Sequence, residues 1–523
     1  MTMFFPEYEL DSAAAIGALG YCNPFVPERI ELERRALRDG FVWTDEVWHK
    51  RLDLDGVPPN VELTVERARE LAGRGRDVLV LGRPVSDAEL AVYEDLVLYL
   101  VYNELQGRFR ELIVDEAPGS AARRRAPFYT VFEEGLNHYL GVAGHSFPSL
   151  RDKEHLFACF WQLRRAFHFI YDNIIGGSRA ATRLRTAVWH SIFTHDMRRY
   201  RRSLYFRMSD IATLITGPSG TGKELVAQAI GMARYIPFNA RDRTFTEDFE
   251  ATFHPLNLTT LSPTLIESEL FGHRKGSFTG ALEDRPGWFE ACSPRGSVFL
   301  DEIGDVDERV QVKLLRLFQT RTFNRIGETT TRTFSGKFIA ATNKDLPEEI
   351  EAGRFRADFY YRLCSDVIET PALREQIEDA PEQLSNLVRF IAFRVAGPEE
   401  ADALVAQVEQ WIATEMPADY AWPGNVHWPA GEEVADHARP GTVRALVRCV
   451  RNILVSGRYW PAKAGAGRSP EEQLAREVAE GTLTNDELLR RYYALVYRKE
   501  GTWQAASRAL GVDARTVKAR VEG

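Results

Sequence analysis

The run Gly217-Pro218-Ser219-Gly220-Thr221-Gly222-Lys223-Glu224 fits the G-x-x-x-x-G-K spacing of a phosphate-binding loop. Such a loop presents backbone N–H groups to phosphate oxygens at a helix N-terminus, and its lysine reaches the terminal phosphates. Glu224 stands where a Ser or Thr magnesium ligand is usual, and a plain glycine-rich turn is the alternative reading. Some eighty residues on, Asp301-Glu302 closes an apolar run (about 80 by residue number). An Asp there can hold Mg²⁺, usually through water, and a Glu can polarise the attacking water. Asn343, at the end of a third apolar run, could position the terminal phosphate or that water. Arg356 and Arg362 in "GRFRADFYYRL" could serve phosphoryl transfer from a neighbouring subunit; two solvated helix arginines are the bland alternative. One further stretch, Gly276-Ser277-Phe278-Thr279-Gly280-Ala281, sets a single aromatic among small residues, which suggests a mobile loop tip exposing Phe278.

These residues need elements to place them. "IATLIT" (Ile211 to Thr216) reads as a strand leading into the glycine loop and the helical pattern "KELVAQAIGMARY". "SVFL" (Ser297 to Leu300) and "GKFIAATN" are two more strands. Strands alternating with helices imply an α/β fold whose parallel sheet carries its polar loops at the carboxyl ends. After Pro371 the pattern is helical. Residues 1–172 show helical spacing, as in Ser86 to Leu112, among turn-rich pieces. They show neither an internal repeat nor the acidic pocket of a receiver domain. The chain divides into an N-terminal region at 1–172, expected to regulate, an α/β segment at 173–370, a helical segment at 371–458, a small-residue linker at 459–480 and a last helical block at 481–523. Every residue suited to phosphate chemistry lies beyond residue 172, so a fragment from about Asn173 is expected to keep nucleotide hydrolysis.

Composition narrows the class. With 523 residues, 44% hydrophobic and 27% charged, the chain is expected to be an ordinary globular protein of a few domains. Its five scattered cysteines make no CxxC pair, which predicts neither a disulfide framework nor a zinc site and favours the cytoplasm. The start of the chain lacks a signal-peptide pattern, and "LVLYLVY" (Leu96 to Tyr102) is too short to span a bilayer. A net charge of −9 argues against nucleic-acid binding over the whole surface, though not by one basic module.

Taken in order, "ESELFGHRKGSFTGA", "VFLDEIGD", "QVKLLRLFQTRTFNRIG", "AATNKDL", "GRFRADFYYRL", "LREQIED" and "WPGNV" resemble the sigma-54-dependent transcriptional activators, the bacterial enhancer-binding AAA+ ATPases. The resemblance runs from about Ile174 to Gly457 and includes the C-terminal block. In that family Glu224 is in pattern. The resemblance implies a ring, usually a hexamer, with ATP and Mg²⁺ at subunit interfaces and Asp301 and Glu302 as the Walker B pair. Asn257 would restrain the catalytic Glu, Arg356 and Arg362 would act in trans, and Asn343 falls in the sensor I segment. The loop Gly276–Ala281 would touch sigma-54 and pass ATP-driven movement to the closed promoter complex, with Phe278 as its contact. Three departures stand out. Ser277 replaces the usual Ala, an extra segment covers about Asn239 to Thr252, and "HWPAGEEVADHARPGT" interrupts the lid after Val426. His427 takes the direct sensor II position; Arg444, beyond the interruption, restores the helical pattern and is the favoured residue.

The C-terminal block "NDELLRRYYALVYRKEGTWQAASRALGVDARTVKARVEG" reads as three helices, the last two joined at Gly511 with Asp513 as N-cap. From Asn485 it holds eight basic and five acidic residues, a net +3 against −9 for the chain. It resembles the factor-for-inversion-type DNA-binding domain, which places Arg515, Thr516, Lys518 and Arg520 on the recognition helix. Two functions follow. The first is an ATP-hydrolysing activator bound to upstream enhancer DNA and acting on sigma-54 RNA polymerase holoenzyme. The alternative is a DNA-binding regulator that uses the AAA+ fold only as an oligomerisation scaffold.

Overall fold

The structure is a computed structural model and describes residues 5–43, 59–114, 124–414, 443–457, 485–500 and 502–522. Its N-terminal part folds as its helical spacing requires. It contains α1 (Glu7–Leu19), α2 (Glu28–Leu37), α3 (Pro59–Val80), α4 (Asp87–Val114) and α5 (Tyr129–Leu140). The apolar run from Leu96 lies inside α4, where Leu96, Val97, Leu100 and Val101 are buried. No helix among the described residues is long and apolar enough to cross a membrane. The next helices are α6 (Lys153–Asn173), α7 (Arg179–Phe193) and the short α8 (Met197–Arg199). Asp152 and Ser178 start α6 and α7 by accepting hydrogen bonds from the N–H groups of His155 and Ala181. A π-helical turn, Tyr200–Leu204, follows α8.

The sheet then begins with β1 (Thr213–Thr216), and α9 (Lys223–Met232) opens directly from the glycine loop. The chain continues through β2 (Phe238–Asn239), β3 (Thr244–Phe245), β4 (Phe253–Asn257), α10 (Pro263–Phe271), β5 (Gly272–His273), β6 (Arg285–Pro286), α11 (Trp288–Ala291) and β7 (Ser297–Asp301). It goes on with α12 (Glu308–Thr320), β8 (Thr322–Phe323), β9 (Arg332–Thr333), β10 (Lys337–Thr342), α13 (Leu346–Glu351), α14 (Ala357–Leu363) and β11 (Asp366–Glu369). Five strands pair in parallel in the order β11-β1-β10-β7-β4. Period-2 alternation sends their side chains to two cores. Ile215, Phe299, Ile339 and Ala341 pack with α7 and α9, whereas Leu214, Val298, Leu300, Phe338 and Ala340 pack with α12 and α14. Crossover helices thus cover both faces, as an all-parallel sheet demands.

Beyond the sheet come α15 (Leu373–Asp379), α16 (Gln383–Ala396), α17 (Pro398–Thr414) and α18 (Val443–Ser456). "WPGNV", His427 and the rest of the interruption lie outside the described residues, as does the 459–480 segment. A separate compact unit holds α19 (Asn485–Glu500), α20 (Trp503–Leu510) and α21 (Ala514–Glu522).

The expected boundary at residue 172 does not separate two cores. Residues 5–414 and 443–457 belong to one compact unit, and α6 is shared by both of its halves. The Arg165 guanidinium, fully buried, donates to Met232 O at 2.6 Å and Arg234 O at 2.7 Å, and Gln162 Nε2 donates to Ala233 O at 2.9 Å. Met232 ends α9 and Ala233 and Arg234 follow it directly, so α6 caps the helix that starts at the phosphate loop. The extra segment near 239–252 has a clear structural role. Its β2–β3 hairpin bridges Arg125 through Thr244, and Phe245 stacks on Trp161 with ring centroids 3.7 Å apart. Phe238, Phe245 and Phe249 complete the N-terminal core, and Arg124 reaches Asp248 and Glu250.

Candidate nucleotide site and exposed loop

Backbone requirements explain the glycines of the phosphate loop. Gly217, Gly220 and Gly222 all have positive φ, and a Cβ on Gly217 would lie 2.2 Å from Thr370 Oγ1. Thr221 Oγ1 meets Thr370 Oγ1 at 2.6 Å and donates to Pro218 O at 2.8 Å, which ties the loop to the strand end beside it. Lys223 is buried and arches over the loop, its Nζ donating to Gly217 O at 2.9 Å and Pro218 O at 3.1 Å. Glu224 lies exposed in the first turn of α9, where a carboxylate complements the positive end of the helix dipole.

The acidic pair completes the cleft. Asp301 ends β7 and accepts hydrogen bonds from Glu302 N at 3.1 Å and Asn257 Nδ2 at 3.3 Å. Asn257 thus bonds Asp301, not the Glu302 carboxylate expected from the resemblance: β4 and β7 run in register, which sets Asn257 directly beside Asp301. Glu302 adopts a left-handed backbone at φ 56°, a strained conformation for a residue with a side chain. Its Oε2 accepts from the backbone N–H of Asn343 at 3.2 Å, so this contact of Asn343 comes from its main chain. Burial pushes the Glu302 carboxyl above the usual carboxylate range, against the opposing pull of Lys223.

Ser219 to Glu224, Asp301 and Glu302 line one cleft of about 430 Å³, within the size range of small-molecule sites. Ile174, Leu184, Leu387 and Ile391 give it an apolar wall suited to a base. Arg356 and Arg362 are not part of it. Arg356 stands just before the start of α14 and pairs at the surface with Asp358 at 2.9 Å and Glu308 at 3.1 Å, while Arg362 lies exposed in the last turn. Two cations that sequence reasoning missed do line it: Arg394 of α16, bonded to Asn173 at 3.0 Å, and Arg451 of α18. Arg444 begins α18 two turns before Arg451, but its side chain is not among those described. The stretch "PGTVRAL" at 440–446 leads into this helix, which begins at Val443.

The Gly276–Ala281 loop is more closed than its composition suggested. Gly276 N donates to Ala281 O at 2.8 Å, and Ala281 N to Phe278 O at 3.0 Å. Ser277 Oγ donates to Arg274 O at 2.7 Å, and Ala281 is buried. Phe278 is half-buried, not fully exposed, because its ring meets His273 edge-on with centroids 4.9 Å apart. Thr279 and Gly280 remain exposed, and so does Leu282 just beyond. In the small unit, Asp513 caps α21 by accepting from the N–H groups of Arg515 and Thr516, and Thr516 Oγ1 also donates to it at 2.8 Å. The Thr516 hydroxyl is therefore engaged in the cap. Arg515 and Lys518 are exposed, Arg520 is partly so, and Val517 is buried.

Comparison with known proteins places these features. Residues 194–369 match the model of the sigma-54 interaction domain. The chain is 43% identical over 218 residues to the transcriptional regulatory protein ZraR of Klebsiella oxytoca, covering 42% of this chain and 45% of that protein. It is 40% identical over 213 residues to the Nif-specific regulatory protein of Azotobacter vinelandii, covering 41% and 37%. The chain thus spans less than half the length of these relatives. A crystal structure of NtrX from Brucella abortus in complex with ATP aligns over 86% of this chain and 96% of that one, at 20% identity and a TM-score of 0.39. The parallel sheet, the phosphate loop and the ordered motifs agree with that match, so residues 194–369 form an α/β domain similar to the sigma-54 interaction domain.

Proposed function

We propose that this chain is an ATP-driven activator of sigma-54 RNA polymerase, acting as an oligomeric ring from upstream DNA in the cytoplasm. The observation that carries the reading is the convergence of Lys223, Asp301 and Glu302 on one cleft at the start of α9. Lys223 and the loop N–H groups bind the phosphates, and the apolar wall orients the base. Glu302, ionised, orients and polarises the attacking water. The paired carboxylates at the strand end are the hard oxygen donors that Mg²⁺ prefers, so Asp301 is the residue that would hold it. When bound, the ion neutralises charge on the phosphates. Arg356 and Arg362 stand outside the cleft of their own chain, which supports their use in a neighbour's site. The family match supports sigma-54 as partner, with Thr279, Gly280 and Phe278 as the contact. The basic, exposed residues of α21 support DNA binding by the small unit.

The rival reading keeps the ATPase fold as a scaffold only. Purified Phe278→Ala and Thr279→Ala proteins separate the two. Both are expected to assemble and hydrolyse ATP within about threefold of the unaltered chain, since Thr279 is exposed and Phe278→Ala gives up only a half-buried edge-on contact with His273, away from the nucleotide cleft. Both should fail to open a sigma-54 promoter. Normal promoter opening by either variant would remove the loop from the mechanism, and an unaltered chain that does not hydrolyse ATP would leave only the scaffold.

A further inference from the structure

A second cavity, about 560 Å³ and larger than the nucleotide cleft, lies where α1 and α4 meet α6, α7 and the Tyr200–Leu204 turn. Its walls are chiefly apolar and aromatic, with Tyr99, Phe160 and Trp189 among them. The charged groups in the lining are unbalanced. Four arginines (Arg29, Arg110, Arg164 and Arg201) face two carboxylates, Glu33 and Asp95. Both carboxylates are already matched: Glu33 pairs with Arg29 at 2.5 Å, and Asp95 pairs with Arg198 at 2.5 Å. Arg110, Arg164 and Arg201 form no ion pair with a carboxylate among the described residues. Arg164 also leaves its buried Nε without a hydrogen-bond partner. A cavity of this kind suits a ligand with an aromatic body and one negative group.

The floor of the cavity is mechanically connected. Gln162 and Tyr200 both line it, and they bond each other through Tyr200 Oη and Gln162 Oε1 at 3.0 Å. Gln162 Nε2 at the same time holds Ala233 O, at the end of α9, at 2.9 Å. The opposite end of α9 is the phosphate loop. We propose that this cavity is an effector site for an aromatic organic anion, a carboxylate or sulfonate, and that its occupancy shifts nucleotide affinity through the Gln162–Tyr200 clamp on α9. The coupling rests on the nucleotide-site reading above; the binding does not.

The test uses the full chain with 1-naphthoate as probe and the neutral 1-naphthalenemethanol as its counterpart. Calorimetry should show one saturable naphthoate site per chain, at least tenfold tighter than the alcohol. Arg164→Gln combined with Arg201→Gln should remove that preference and leave alcohol binding unchanged. Saturating naphthoate should shift the affinity of a fluorescent ATP analogue at least threefold in the unaltered chain and not in Gln162→Leu. Absence of saturable binding, or equal affinity for acid and alcohol, would overturn the site. Naphthoate binding with an unmoved nucleotide affinity would overturn the coupling. A chain that binds no nucleotide would count against the proposed function, and the naphthoate arms would still decide the site.

Discussion

At Glu302 the backbone strain, the burial and the Asn343 N–H contact act on one carboxylate. A buried carboxyl with a raised pKa has an acid limb shifted upward. ATP turnover is therefore expected to fall on acidification at a pH above the ordinary carboxylate range. Glu302→Gln should keep ATP affinity within about threefold while lowering turnover at least 100-fold, the size of a lost acid–base group; comparing a binding titration with steady-state hydrolysis checks both. Lys337 tests the sheet in the same currency of protons. It is buried in β10, its Nζ donates to Ile211 O at 3.1 Å, and burial lowers its pKa to about 7. Between that value and the unfolded value near 10.5 the unfolded chain binds a proton that the native chain does not. Stability should thus rise with pH across that window, by about 1 kcal/mol per unit from this group. Urea unfolding at pH 7.5 and 9.5 should show the slope in the unaltered chain and a shallower one in Lys337→Met.

Helix α6 belongs energetically to both halves of the large unit. Arg165→Met removes two donors and leaves Met232 O and Arg234 O buried, at a cost of about 2–4 kcal/mol that a thermal melt would register. A fragment beginning at Asn173 loses the whole cap along with Trp161, and is expected to be insoluble or to melt far below the full chain. The sequence-based expectation for that fragment was the opposite, and the reason is instructive. Strands, phosphate loop and acidic pair were legible because glycine geometry and apolar alternation are local. Arg165 was illegible because its partners lie almost seventy residues away (|i−j| of 67 and 69) and its spacing is that of any helix arginine. Arg394 and Arg451 escaped for the same reason, since nothing near them in sequence marks the cleft they line. The half-burial of Phe278 is not legible in the sequence because only the folded loop brings its ring onto His273.

For the molecule as an assembly, the exclusion of Arg356 and Arg362 from their own cleft leads to a mixing test. Lys223→Ala chains retain Arg362, and Arg362→Ala chains retain the phosphate loop. Each is expected to be inactive alone, and a mixture should recover part of the hydrolysis rate. No recovery at any ratio, with mixed oligomers demonstrated, would place the arginines outside catalysis. The β2–β3 hairpin has a consequence of a different kind. With Phe245 stacked on Trp161 and Arg124 bound to Asp248 and Glu250, the N-terminal helices cannot detach as a rigid body without exposing that aromatic layer to water. A signal received there has to travel as a small displacement inside a continuous solid. In hydrogen exchange, the amides of residues 157–165 and 233–249 should then open together, with one shared protection free energy, whether or not nucleotide is bound.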